Sequence, residues 1–131
     1  MRRSGVAVLA ALILGGCAAA HADRGSDDAA DLAEALAGRT LGAPQSCIAL
    51  TSSDGPQVIG ENLLYRDGGR LWLSQPVGGC PSLRGDPIII VEVYGSQLCR
   101  NDRFRTAERG GIGIPGPYCR FGSFVPYAKP R

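Results

Sequence analysis

Histidine and lysine are almost absent from this chain of 131 residues, with one of each at His21 and Lys129. Nucleophilic Ser or Cys catalysis needs a base beside the nucleophile. His21 lies in an N-terminal stretch of export character, so Ser-His-Asp and Cys-His sites are excluded from the folded part. The longest apolar run is Val6 to Leu14, too short for a bilayer span of about 20 residues. The glycine loop at 110–117 lacks a Gly-Lys-Ser/Thr ending and a following helix, which excludes a phosphate-binding loop. A net charge of +2 is too small to imply a strong polyelectrolyte partner. Against these absences stand 19 glycines, 9 prolines, 44% hydrophobic and 20% charged residues. That balance indicates one turn-rich, β-rich domain rather than a helix bundle or a disordered chain.

Residues 1–16 read as a bacterial signal peptide, with Arg2 and Arg3 preceding the apolar run. No Phe-Leu-Lys-like element follows the arginines, which argues against twin-arginine export. Two processing sites compete. Leu14-Gly15-Gly16-Cys17 resembles a lipobox, with lipidation at Cys17, and is favoured because it abuts the apolar run. Ala20-His21-Ala22 fits the general signal peptidase. The first places the protein on the outer membrane facing the periplasm; the second makes it soluble in the periplasm or secreted. Loss of Arg2 and Arg3 leaves 14 − 2 = 12 basic side chains against 12 acidic ones.

Cys47, Cys80, Cys99 and Cys119 remain, an even number in an oxidising compartment, and so two disulfides are expected. A four-thiolate zinc site needs close pairs such as C-x-x-C, and none occurs here. No metal or cofactor is expected. Among the three pairings the sequential one is favoured, Cys47–Cys80 with Cys99–Cys119, because the first strand and the last strand would each find a neighbour without threading. The nested and crossed pairings stay open.

Residues 17–44 read as a tether with a short helix capped at Ser26, carrying Leu32 and Leu36 on one face and ending at Gly38. Residues 45–131 read as the folded domain. Strands are expected at Cys47–Leu50, at Asn62–Arg66 and Arg70–Ser74 around an Asp67-Gly68-Gly69 turn, and at Ile88–Tyr94. Further strands are expected at Gln97–Arg100, Arg103–Thr106 and around Cys119 to Val125. The Ile88 run implies burial on both faces at its start, with Ile89, Val91 and Val93 facing the core. The class is all-β: a small antiparallel sheet, barrel- or sandwich-like, stabilised by two disulfides and preceded by the helical tether.

Five local patterns occur in a characteristic order: Cys47-Ile48, the Leu63-Leu64-Tyr65 hairpin with Arg70-Leu71-Trp72-Leu73, Gly79-Cys80-Pro81, Leu98-Cys99-Arg100-Asn101-Asp102 and Cys119-Arg120-Phe121-Gly122. Over about residues 46–127 the chain resembles a family of small exported alphaproteobacterial proteins that share a domain of unknown function. The resemblance implies four structural cysteines and a β-rich fold, and brings no activity or catalytic residue with it.

Paired carboxylates for glycoside hydrolysis are conceivable among Asp54, Asp67, Asp86, Glu92 and Asp102, although several sit in turns where Asp bonds its own backbone. From residue 97 onward seven basic side chains face two acidic ones. Arg103 and Arg105 project to one face of a strand, and with Arg100 they form the candidate binding face. Its expected partner is an anionic envelope component or a protein, not nucleic acid; the membrane is met through lipid on Cys17. The expectation is a non-enzymatic envelope lipoprotein that binds. The alternatives are an inhibitor resembling periplasmic lysozyme-inhibitor lipoproteins in architecture, and a carboxylate-based envelope hydrolase.

Overall fold

The β4–β5 hairpin (Asn62–Asp67 and Arg70–Ser74) organises the molecule. Its turn is closed by Gly68 at φ +56°, a conformation that costs a glycine little. Alternation sends Leu64, Leu71 and Leu73 to one face and Leu63, Tyr65 and Trp72 to the other, and all six are buried. A strand buried on both faces needs a covering layer on each side. Both layers are present.

The computed structural model describes residues 16–50 and 54–131, with side chains from residue 24 onward. The expected signal segment, the Cys17 lipidation site and the Ala20-His21-Ala22 site therefore fall outside the residues described in full. Around the hairpin runs an antiparallel five-stranded sheet, ordered β1 (Thr40–Leu41), β10 (Phe124–Ala128), β5, β4 and β3 (Gln57–Ile59). Helix α1 (Gly16–Leu36) covers one face, setting Leu32, Ala35 and Leu36 on Ile59, Leu64, Leu71 and Leu73. Two small sheets cover the other face. One pairs β2 (Cys47–Ala49) with β7 (Gln97–Cys99), and the second is ordered β6 (Ile88–Val91), β8 (Arg103–Ala107) and β9 (Cys119–Arg120). Between the layers Phe104, Phe121 and Phe124 pack together, with the Phe104 and Phe121 ring centres 4.7 Å apart. The expected all-β antiparallel architecture is present, with the helix preceding the sheets.

Four local expectations are corrected. Helix α1 does not begin at a Ser26 cap but runs through it from Gly16, because the alanine-rich sequence on both sides of Ser26 favours helix. It ends as expected at Gly38, φ +67°. The segment after it is not a free spacer: β1 pairs with β10, and Gln45 and Phe124 exchange backbone hydrogen bonds at 2.8 and 2.9 Å. The β10 edge supplies donors and acceptors that this segment satisfies. In β6, Ile88 and Ile90 are 43% and 40% exposed, so the run is half-buried on one face and open on the other, and Val93 lies beyond the strand and is exposed. Ile89 and Val91 do pack on the core.

The fourth correction concerns the disulfides. Cys47 pairs with Cys99 and Cys80 with Cys119, the crossed arrangement rather than the sequential one. Strand β2 finds its partner in β7, not in the Trp72 hairpin, and the register sets Cys47 directly opposite Cys99 with Cα atoms 4.0 Å apart. Cys99 and Cys119 lie in different sheets. The bridges span 52 and 39 residues, loops for which chain entropy gives about 4 kcal/mol of stabilisation each.

Candidate binding face

The outer face of the β6–β8–β9 sheet holds two of the three arginines singled out from the sequence. In β8, Phe104 points inward and is fully buried, so Arg103 and Arg105 point outward. Tyr118, one residue before β9, shares that face by the same alternation. Its ring lies between the two guanidiniums, 4.7 Å from Arg103 and 4.8 Å from Arg105. Each guanidinium is drawn to the negative face of the ring, and each is also held by oxygen. Arg103 pairs with Glu92 at 2.8 Å. Arg105 donates to the carbonyls of Gly116 at 2.8 Å and Pro115 at 3.0 Å, tying the glycine loop against the sheet.

Glu92 completes the group by accepting the Tyr118 hydroxyl at 2.8 Å. The hydroxyl first, and then Arg103, hold the Glu92 carboxyl below its ordinary range. The Tyr94 hydroxyl and the Glu92 carboxylate hold the Arg103 guanidinium above its own. Only Arg103 is paired with the carboxylate, while Arg105 is held by neutral carbonyls, so the two guanidiniums and one carboxylate leave the cluster with a net positive charge. Around it Ile88, Ile90, Tyr94 and Tyr118 are exposed, and Ile112 and Ile114 stand out from the adjoining glycine loop.

Arg100 is not brought into this cluster. It follows β7, its amide donates to Ser46 at 2.6 Å, and its side chain is exposed beside the β2–β7 ribbon. Tyr118 and Tyr94 belong to the face and were not among the sequence candidates, and Glu92 was one only as a carboxylate for hydrolysis, not as part of this face. The alternation that places Arg103 and Arg105 outward could have found Tyr118, once β9 is set beside β8.

The carboxylates considered for hydrolysis are separately engaged. Asp86 pairs with Arg109 at 2.8 Å, Glu92 sits in the cluster above, and Asp102 accepts the Cys99 amide at 2.7 Å. Asp54 and Asp67 have partners of their own. Open grooves also mark the surface of the described residues. One of about 1410 Å³ runs between α1 and β3–β4, lined by Asp27, Asp28, Asp31, Glu34 and Glu61 with Arg24, Arg66 and Arg84. Another, of about 740 Å³, lies between the Pro81–Leu83 turn and the glycine loop. Among the described residues no group of three or more His, Cys, Asp or Glu is arranged to hold a metal ion, and no helix is long and apolar enough to cross a membrane. No family model matches the chain, and no curated protein or solved structure is detectably similar to it.

Proposed function

We propose that the protein is a non-enzymatic binding module of the bacterial cell envelope that engages an anionic partner through Arg103, Arg105 and Tyr118. The observation that carries this reading is the shared stacking of both guanidiniums on one exposed tyrosine, with a single carboxylate that pairs Arg103 alone. Guanidinium forks bind carboxylate and phosphate oxygens bidentately. The strands hold these groups in place before any partner arrives, which reduces the ordering cost of binding. Tyrosine, arginine and exposed isoleucine on one face also match the composition of interface cores.

The two disulfides indicate an oxidising, extracytoplasmic compartment. Within it, the Cys17 lipobox supports anchoring to the outer membrane, facing the periplasm. Cys17→Ser would then abolish acyl-chain labelling and membrane fractionation. A wild-type chain recovered without lipid and beginning at Asp23 would replace the anchor by a soluble periplasmic protein.

Binding is tested with heparin as an anionic probe. Wild-type protein should be retained at low salt and released as salt rises. Arg103→Gln combined with Arg105→Gln should elute at lower salt while keeping both disulfides. Identical elution of the two forms would remove the proposed face. Turnover of peptidoglycan or chromogenic glycosides by the purified protein would replace the binding reading with the hydrolase one.

A further inference from the structure

Among the described residues, strand β6 is hydrogen-bonded on one side only. The Glu92 amide donates to the Arg103 carbonyl at 3.0 Å, continuing the register that sets Ile88 opposite Ala107 and Ile90 opposite Arg105. Residues 88, 90 and 92 therefore turn their backbone groups toward β8, and residues 89 and 91 turn theirs to the outer edge. The same alternation is seen on β8, where the Thr106 carbonyl points away from β6 and accepts the Gly116 amide at 2.7 Å. Among the described residues no backbone hydrogen bond from outside the sheet reaches Ile89 or Val91.

Natural edges are usually blunted by lysine, proline, a bulge or a covering loop. Ile88-Ile89-Ile90-Val91 contains no charge and no proline. The one charge beside it, Glu92, is turned toward β8 and β9 by Arg103 and Tyr118. Nothing charged is left to repel a like strand.

We propose that β6 pairs antiparallel with β6 of a second copy of this chain, about a two-fold axis passing midway between the two Ile90 residues. The register is fixed by the positions of the free groups. Ile89 of one copy lies opposite Val91 of the other, and each such pair exchanges two backbone hydrogen bonds, giving four in all. Ile90 faces its own counterpart as the closer, non-hydrogen-bonded pair, whose side chains approach most nearly. Extension stops there, because the next hydrogen-bonding position sets Val93 opposite Pro87, which has no N–H. The exposed apolar surface of Ile88 and Ile90 is covered in the process.

A second copy fits this edge because the edge is complementary to itself. The two residues with free groups flank a single uncharged residue, so one two-fold operation satisfies all of them and then closes. The outcome is a six-stranded sheet with two Arg103–Arg105–Tyr118 groups on one continuous face. The two β8 strands lie three strand spacings apart, roughly 14 Å. This pairing does not depend on the anionic partner proposed above.

Sedimentation velocity of the oxidised, exported chain from low micromolar to about 1 mM tests it, since an interface of this size assembles weakly. A reversible monomer–dimer equilibrium is expected. Ile90→Lys should raise the dissociation constant by about tenfold or more, because it sets like charges directly opposite each other. It should leave the disulfide map unchanged and lower the thermal unfolding temperature only slightly, because the residue is exposed but lies opposite Arg105 in its own sheet. Ile90→Cys should yield a dimer linked from residue 90 to residue 90, across directly opposed positions like those of Cys47 and Cys99. A monomer throughout, a dimer indifferent to Ile90→Lys, higher polymers, or no 90–90 link would each overturn the pairing.

Discussion

The five-stranded and three-stranded sheets are built from similarly apolar strands and end in opposite circumstances. In β4 and β5 the runs Leu63-Leu64-Tyr65 and Leu71-Trp72-Leu73 are buried without interruption, because α1 lies on one face and the small sheets on the other. In β6 the run Ile88-Ile89-Ile90-Val91 is at least as apolar, yet its alternate residues face solvent. Position in the layers decides how much of an apolar strand is covered. Where covering is incomplete, the surplus apolar side chains lie beside a cationic cluster, on the surface of the proposed binding and pairing.

That contrast is broken most severely at the closest backbone approach beneath the large sheet. A Cβ at Gly122 would overlap the Gln75 carbonyl, and the Ser74 hydroxyl donates to the Gly122 carbonyl at 3.2 Å. Backbone is on both sides, so neither can yield as a side chain would. Gly122→Ala should cost about 3 kcal/mol or more, read from denaturant unfolding of the oxidised protein. A loss within experimental error would mean that the β5–β10 layer tolerates separation from the loop beneath it.

Matched truncations in the two sheets compare them directly. Leu64→Ala, in the doubly covered sheet, should cost about 3 kcal/mol through lost burial and a residual cavity. Ile88→Ala, on the uncovered face of β6, should cost less than about 1 kcal/mol at concentrations where the protein is monomeric. Equal costs would show that the outer face of β6 is covered in solution.

Tyr65 brings a polar atom into the well-covered side. Its hydroxyl is buried with no hydrogen-bond partner among the described residues, and burial pushes its pKa upward. The folded state therefore keeps the phenol neutral while the unfolded chain ionises near pH 10. Stability is present below that value and falls as pH rises above it. Tyr65→Phe should raise stability by about 1 kcal/mol at neutral pH, by removing an unsatisfied buried group. It should also weaken the alkaline loss. Destabilisation by Tyr65→Phe would mean that the hydroxyl has a partner in solution.

How much of this was legible in the sequence follows the same division between local and distant information. The β4–β5 hairpin was readable because its turn and its alternation lie within a dozen residues, and β7 and β8 were readable for the same reason. The helix stop at Gly38 was local too. The disulfide pairing was not, because it depends on β2 crossing the molecule to reach β7, a choice that no spacing of cysteines records. β1 and β3 are two and three residues long and owe their strand character to the neighbours that pair with them. In the candidate face, Arg103 and Arg105 were visible through strand alternation. Tyr118 and Glu92 lie 13 and 13 residues away from Arg105 in opposite directions and join it only through sheet pairing. Arg100 was grouped with them by proximity in sequence, and the turn at Asn101, φ +72°, separates them.

The finest test addresses how the uncovered face is held together. Glu92 titrates below the ordinary carboxylate range because of the Tyr118 hydroxyl first and Arg103 second. A depressed folded-state value means that this carboxylate favours the folded arrangement above about pH 4.3, its ordinary value. That contribution fades as pH falls through the lower folded-state value. The effect is local and exposed to solvent, so the measurement is local as well: the Tyr118 ring and Glu92 side-chain resonances followed by NMR through an acid titration. Their shared inflection should lie below the ordinary carboxylate range, and Glu92→Gln should remove it from the Tyr118 ring. Tyr118→Phe removes the largest single cause and Arg103→Gln removes a charge together with its hydrogen bond, so each should move the Glu92 inflection upward. A Glu92 inflection unmoved by Tyr118→Phe would show that charge pairing, rather than the stacked tyrosine, organises this face, and Arg103 would then be too firmly neutralised to serve an incoming anion.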